Sequence, residues 1–471
     1  MRPECFHART RVEAPAADVF RWHARPGALE RLTPPWERIE EKRVEGPSGI
    51  QVGARVIVTV RLGPLRYPWI SEHRVYDEGQ YFFRDVQVKG PFARWEHTHL
   101  FEPDGPSACY LNDHIEYALP FGILGRLIGG AWVRRKLERI FAYRHRVTSQ
   151  DLATRCLDKG ASTMQVLVSG SSGFIGSALV PFLSTNGHRV TCLVRRPPSA
   201  NSLAIQWDPL RGEIDVDRLE GLDGVVHLAG ENLTTGRWTA DKKAKIRESR
   251  VNGTRLLCRA LANLSRPPRV LVCASAIGYY GDRGEERVDE DSPPGSGFLA
   301  EVCREWEAAA QPAVQRGIRV VHARLGVVLS PSGGALALLL PVFKLGGGGR
   351  LGDGRHHLSW IALDDVLGAI DYALRHEEVR GPMNVAAPNP VTNRAFTTTL
   401  GSVLRRPTWV PVPAFAIRAI FGELADEALL ASTRVSPRKL LTAGYQFRYP
   451  QLEGALRHLL GRLSGKTPHS S

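Results

Sequence analysis

Residues 164–196, MQVLVSGSSGFIGSALVPFLSTNGHRVTCLVRR, restrict the fold more than any other part of the chain. The apolar run Val166-Leu167-Val168 has the length and β-branched content of a buried parallel strand. It stops at Gly170, and Gly173 and Gly176 follow at three-residue spacing. Ile175, Leu179, Phe182 and Leu183 then mark one side of a helix, and residues 190–194 make the next strand. Strand, glycine turn, helix and strand form a βαβ unit of about thirty residues. Glycines there let the backbone turn sharply and approach a pyrophosphate, which the free amides and dipole of the helix N-terminus attract. A glycine-rich turn in some other α/β protein is the competing reading.

The length of 471 residues allows two or three domains and a substantial core. A formal net charge of +14 would suit nucleic acid, an anionic surface or an anionic ligand. The arginines are scattered, with no block of five or six like charges, so a solvated surface is favoured over nucleic-acid binding. Seven cysteines without a CxxC pair fit a reducing cytoplasm. No apolar leader opens the sequence, and the longest apolar stretch, residues 119–133, contains Arg126 and is too short to span a bilayer.

Residues 1–150 differ from the rest. An alternating segment at 6–12 precedes a helical stretch with Val19, Phe20 and Leu29. Alternation then recurs at 54–62, 69–76, 81–88, 95–101 and 108–117, mostly between Gly/Pro/Asp-rich turns, as in an antiparallel meander. A helix over about 121–145 follows, with Val133, Leu137 and Ile140 on its apolar face. Sheet and helix together predict a hollow with an apolar lining. This order, with the stretches PAADVFRWHARPGALERLTPPW and FARWEHTHLFEP, resembles the SRPBCC (START-like, helix-grip) superfamily. The resemblance implies an α+β domain that holds a hydrophobic ligand. His97, His99 and His114 with Asp113 and Glu116 raise the idea of a metal site, but half-exposed strand positions explain them more simply, and no metal is expected. Residues 151–163 read as a linker.

After Val194 come Arg195 and Arg196, where an NAD-binding fold usually places a carboxylate for the ribose; none appears until Asp208. A guanidinium pair suits a 2′-phosphate by charge and geometry, which favours NADP over NAD. Further strands at 223–227, 270–275 and 319–329, with a helix at about 245–264, complete a doubly wound parallel sheet.

GSSGFIG, HLAGEN (residues 227–232), SAIGYYGD (275–282), WIALDDV (360–366) and NVAAP (384–388) resemble an extended short-chain dehydrogenase/reductase. More narrowly, they are similar to the atypical YfcH-like branch of the NAD-dependent epimerase family. The resemblance implies a Rossmann domain over residues 164–408 in which Gly170, Gly173, Phe174, Ile175 and Gly176 hold the pyrophosphate. It implies Val194, Arg195 and Arg196 at the adenosine phosphate, Leu228, Ala229, Gly230 and Glu231 along the cofactor, and Lys245 and Arg250 approaching from the next helix. The Tyr-x-x-x-Lys pair of that family is absent: Phe298 and Val302 stand in its place. Ser275, Tyr279 and Tyr280 are the remaining hydroxyl candidates for catalysis, with Glu301 as a weaker possible base.

A glycine-rich segment over residues 341–360 is either a cover over the site or a plain loop. Residues 409–462 resemble the small helical module found at the C-terminus of YfcH-like proteins. There Arg434, Arg438 and Lys439 could meet an anionic substrate, although a solvated face is the simpler reading. Residues 463–471 are polar and expected to be disordered. The expected function is that of an NADP-binding epimerase or oxidoreductase-like protein in the cytoplasm, acting on an unidentified small molecule and fused to a hydrophobic-ligand domain. The alternative is a non-catalytic NADP-dependent sensor or regulator, for instance one linked to cell division.

Overall fold

The structure, a computed structural model, describes residues 3–37, 39–47, 49–62, 65–157, 163–197, 204–234 and 236–462. The chain separates into two compact units, one built mainly from the residues before 162 and the other from those after.

The first unit runs β1 (Glu4–Val12), α1 (Ala16–Ala24), α2 (Ala28–Leu32), β2 (Ile39–Glu45), β3 (Arg55–Leu62), β4 (Leu65–Asp77), β5 (Phe82–Lys89), β6 (Arg94–Pro103), β7 (Cys109–Ala118) and α3 (Gly122–Leu157). Its strands form one antiparallel sheet in the order β1-β7-β6-β5-β4-β3-β2. Strand β2 escaped sequence reading because IEEKRVE carries only two apolar residues and shows no alternation. In β6 and β7 every second residue is buried, which turns Trp95, His97, His99 and Phe101, and Leu111, Asp113, Ile115 and Tyr117, to the interior.

Helix α3 covers this interior. Val133, Leu137 and Phe141 pack with Phe6, Trp95, Ile115 and Tyr117, and Tyr143, Val147 and Leu152 join Phe20, Phe101 and Leu111. The helix continues well past His145, so residues 151–157 are helical and not linker. Two long-range anchors carry it on: Leu152 is buried, and the fully buried Asp151 receives the guanidinium of Arg31 at 2.8 Å. Neither shows in local periodicity. Residues 158–162, in the second half of the expected linker, and the tail 463–471 lie outside the described residues. The apolar run before Val133 is not core, since Phe121, Ile123, Leu124, Leu127, Ile128 and Trp132 are exposed. Among the described residues no helix is long and apolar enough to cross a membrane.

The second unit begins with β8 (Gln165–Ser169), α4 (Gly176–Thr185), β9 (Arg189–Val194), β10 (Ile205–Asp208), β11 (Glu213–Ile214), β12 (Gly224–His227), α5 (Ala240–Ala262), β13 (Val270–Ala276), β14 (Arg287–Val288), α6 (Phe298–Ala308), α7 (Gln311–Gln315) and β15 (Arg319–Leu325). It continues through β16 (Val327–Leu329), α8 (Gly334–Lys344), β17 (His357–Leu358), β18 (Trp360–Ala362), α9 (Leu363–Arg375), β19 (Gly381–Val385), β20 (Val391–Thr392), α10 (Asn393–Leu404), α11 (Ala414–Phe421), β21 (Arg434–Val435), α12 (Arg438–Thr442) and α13 (Leu452–Leu459).

Eight strands form the main sheet in the order β11-β10-β9-β8-β12-β13-β15-β19, parallel except for the edge strand β11. This is a Rossmann-like sheet, and the direction of winding reverses between β8 and β12, where such sheets bind ligands beyond their carboxyl ends. Val166, Leu167 and Val168 are fully buried, as expected for a strand covered on both faces. The strand expected over 319–329 breaks at Gly326, where a side chain would meet the Ser359 carbonyl oxygen at 2.8 Å. Beyond the break, β16 leaves the main sheet and pairs with β18. Helix α5 starts earlier than expected because Thr239 caps it, accepting the amide of Lys242 at 3.2 Å.

Candidate dinucleotide site

Three glycines shape the turn after β8. Gly170 has φ of +68°, and a Cβ there would lie 2.8–2.9 Å from the backbone of Leu228 and Ala229. A Cβ on Gly176 would lie 2.2 Å from the Gly170 carbonyl oxygen, so a side chain would force the first turn of α4 off the strand. The Gly173 amide donates to the Gly170 carbonyl at 2.9 Å and closes the turn. Ile175, expected on the helix, instead ends the turn, its carbonyl accepting the Leu179 amide at 2.9 Å. Among the described residues the amides of Phe174 and Ile175 have no acceptor, so the α4 N-terminus presents free N–H groups as an anion site requires. The Phe174 ring lies over Gly333 and Gly334, where Cβ atoms would stand 2.4 and 3.1 Å from it. Sequence reading passed over that second glycine pair because it lies about 160 residues away, outside any motif.

The loop after β12 is tied to the same turn. Ser169 Oγ lies 2.6 Å from His227 Nδ1 and accepts the Leu228 amide at 3.1 Å, which fixes Leu228 and Ala229 beside Gly170. Burial pushes His227 down to about 4, so its ring is neutral. Val194 is half-buried at the end of β9, while Arg195 and Arg196 are exposed and form no ion pair among the described residues. Glu231 lies below its ordinary carboxyl range, chiefly through a 2.6 Å bond from Lys242, with Lys245 and Arg195 adding their charges. Lys242 was missed, since the helix was expected to begin after it; Lys245 is exposed. Arg250 lies under the loop: it donates to the Glu231 carbonyl at 3.0 Å, backs Gly230 and stacks on Trp306 at 5.1 Å. Its place is that of a support for the loop after β12.

Ser275, Tyr279 and Tyr280 belong to one network with two residues that the sequence did not single out. Ser275 Oγ donates to Glu307 Oε1 at 2.7 Å, and Glu307 grips Arg324 through two 2.8 Å bonds. Arg324 donates to the Tyr280 hydroxyl at 3.0 Å and stacks 3.5 Å from the Tyr279 ring centre. The Tyr280 hydroxyl donates to Asn384 Oδ1 at 2.8 Å. Burial pushes Tyr280 up to about 12 against the pull of Arg324, so its phenol stays protonated. Tyr279 keeps partial exposure. Phe298 and Val302 pack with Ile246, and Glu301 pairs with Arg247 at 3.1 Å on the exposed side. No acid–base pair occupies the usual place on α6.

The glycine-rich run at 346–349 is anchored on residues 407–412: a Cβ on Gly349 would collide with the Val410 carbonyl oxygen, and Gly346 lies against Pro407. Arg438 pairs with Asp289 at 3.3 Å and with Asp291, and Lys439 Nζ donates to the Arg380 carbonyl at 2.9 Å. Arg434 is exposed.

In the first unit, His97, His99 and Asp113 are buried, at 4, 8 and 3% exposure, which corrects the half-exposed positions expected for them. His114 and Glu116 point to the opposite face, where His114 lies 2.9 Å from His7. The interior is therefore not uniformly apolar, as the sequence had suggested, but carries His23, His73, Asp85 and His145 as well.

The model of the NAD dependent epimerase/dehydratase family matches residues 166–386, and that of a domain of unknown function, DUF1731, matches residues 412–459. Epimerase family protein Mb2239 of Mycobacterium bovis is 45% identical over 297 residues, 63% of this chain and 98% of its own length. Human epimerase family protein SDR39U1 is 36% identical over 300 residues, 63% of this chain and 100% of its own length. Among solved structures, a nucleoside-diphosphate sugar epimerase from Corynebacterium glutamicum is 33% identical with a TM-score of 0.79, the match covering 97% of this chain and 90% of that one. Human SDR39U1 (isoform 2), solved with NADPH, is 36% identical with a TM-score of 0.60, the match covering 64% of this chain and 100% of that one.

Proposed function

The chain belongs to the NAD-dependent epimerase/dehydratase family, and from that premise we propose that its second unit binds NADP(H) and serves an epimerase or oxidoreductase-like reaction. One observation carries the reading: at the switch point of the sheet, a turn that admits no side chain at Gly170 or Gly176 presents free amides, with two unpaired arginines at the neighbouring strand end. Arg195 and Arg196 suit the 2′-phosphate that separates NADP from NAD. The NADPH bound to the human relative supports the same cofactor. A bound nicotinamide would supply or accept a hydride. The chain would contribute backbone amides for the pyrophosphate, the Leu228–Glu231 loop for the adjoining ribose, and Tyr279 as the phenol with solvent access.

Calorimetric titration of the purified chain with NADP and NAD tests this. NADP should bind more tightly, and Arg195→Ala should weaken NADP by about tenfold or more while sparing NAD, as expected for a charge-assisted bond of about 1.5–3 kcal/mol. Equal affinity for both cofactors would overturn the 2′-phosphate assignment. A second reading, a non-catalytic NADP-dependent sensor, is favoured by the apolar Phe298 and Val302 and by the locked Tyr280 phenol. NADPH consumption with a carbonyl or nucleotide-sugar substrate that Tyr279→Phe abolishes would support the enzyme. Tight binding without turnover across that substrate set would support the sensor. The proposed apolar ligand of the first unit has less support: between its sheet and helices lie aromatic rings in mutual contact and the buried polar cluster.

A further inference from the structure

The buried polar cluster of the first unit has a geometry that simple core packing does not explain. Register across β4, β5 and β6 places Asp85 opposite both His73 and His97, and across β6 and β7 it places His99 opposite Asp113. The two-residue period of a strand turns His97 and His99 to the same interior face. Their rings lie 3.8 Å apart between centroids. On one side, Asp113 Oδ1 holds His97 Nε2 at 2.8 Å and lies 2.7 Å from His99 Nδ1, while Asp113 Oδ2 meets His145 Nε2 at 2.6 Å. On the other side, the remaining nitrogens, His97 Nδ1 and His99 Nε2, stand 3.6 and 3.9 Å from Asp85 Oδ2.

Those separations are too long for hydrogen bonds. They approach the roughly 3.3 Å between donors that tetrahedral geometry gives for metal bonds of about 2.0–2.1 Å. Among the described residues, His73 Nδ1 and His99 Nδ1 are buried without a hydrogen-bond partner, and Asp85 between them is 9% exposed. Asp113 takes the Nε2–H of His97, so the opposite nitrogen, Nδ1, carries a lone pair, and it converges with His99 Nε2 and the Asp85 carboxylate as a third donor. A carboxylate behind a histidine is the usual outer support of a metal-bound imidazole, fixing its tautomer and orientation.

We propose that Asp85, His97 and His99 form a binding site for a divalent transition metal, Zn²⁺ by its donor set, with Asp113 as the positioning carboxylate. Two imidazoles and one carboxylate suit a borderline cation and offer too few oxygens for Ca²⁺ or Mg²⁺. Three protein donors leave a fourth position for water or for the polar end of a ligand. Three of the four residues lie on adjacent central strands of the sheet, and Asp113 lies on the next, so the site is held rigidly.

The test uses the full chain, stripped of metal by a chelator, then titrated with Zn²⁺ against a chromophoric competitor and with Co²⁺ for its visible absorption. Wild type should bind one equivalent at this site, show the intense bands of four-coordinate Co²⁺ and gain thermal stability with Zn²⁺. Asp85→Asn and His99→Gln, each confirmed folded by circular dichroism, should lose that equivalent. Asp113→Asn should keep it with affinity reduced about 10–100-fold. NADP titration on the same variants should be unchanged, since this site belongs to the first unit and the proposed cofactor site to the second. A folded wild type with neither the Co²⁺ bands nor stabilisation by Zn²⁺ would overturn the proposal. So would one equivalent of Zn²⁺ retained undiminished by both Asp85→Asn and His99→Gln.

Discussion

Arg324 is 3% exposed, and two carboxylate bonds from Glu307 keep it charged there. Burial alone would lower its pKa, but the Glu307 bonds and charge prevail and raise it. Removing the carboxylate would leave a cation in a low-dielectric interior, and breaking such a pair costs about 3–5 kcal/mol. Glu307→Ala should therefore lower the urea midpoint sharply, whereas Tyr280→Phe, which deletes only the hydroxyl bonds, should cost about 0.5–3 kcal/mol. Equal losses in the two variants would show that Arg324 does not depend on Glu307. At this scale the glycines of the turn were legible because their three-residue spacing falls between a buried strand run and an amphipathic helix. Ser275, Tyr279 and Tyr280 were legible as a polar group at a strand end. Their partners were not, because Glu307 and Arg324 come from elements 32 and 44 residues beyond Ser275 and Tyr280, with no motif to join them.

Elements were readable where one periodicity ruled and unreadable where distant contacts decided the ends. The buried runs of β8, β12 and β13 and the alternation of β6 and β7 were plain in the sequence. The length of α3 was not, because Leu152 and the Arg31–Asp151 pair hold its last turns. Alternation also showed that His97 and His99 share a face, but not that this face is the interior, since a half-buried strand ordinarily turns its polar residues to solvent. Helix α9 illustrates an element held by charge. Its Asp371 receives Arg375 at 2.9 Å and meets His188, before β9, at 3.0 Å. Burial works to raise the Asp371 pKa, but the His188 bond and the Arg375 charge prevail and hold it below its ordinary value. Stability from this group is therefore present above the unfolded carboxyl value, near 3.9, and is lost as pH falls through the lower folded value. Asp371→Asn should melt below wild type at pH 7, and the gap should narrow on acidification below about pH 4. A gap independent of pH would deny the charge any part in it.

At the scale of the second unit, the residues matched by DUF1731 are integral to the Rossmann-like layer and not an appendage. Strand β21 pairs with β14, Asp365 of α9 accepts the amides of Arg448 and Tyr449 at 2.6 and 3.0 Å, and Glu427 accepts those of Phe298 and Leu299 at 3.1 Å each. The module was recognisable by resemblance, but its attachment was not, because every contact joins residues some 80–150 positions apart. Glu427 caps α6 in place of a residue at its own N-terminus, where a Gly297 side chain would collide with that carboxylate. Glu427→Ala should cost about 0.5–2 kcal/mol of stability, as a lost cap does. Hydrogen exchange should quicken first at Phe298 and Leu299, and unchanged protection there would refute the cap.

That cap also has a consequence in time. A ribosome adds about 5–20 residues per second, so Glu427 is made roughly 6–26 s after Phe298. Throughout that interval the nascent α6 has bare amides at its start and β14 has no partner strand. The Rossmann-like layer thus cannot complete these contacts as it emerges and must wait for the later part of the second unit.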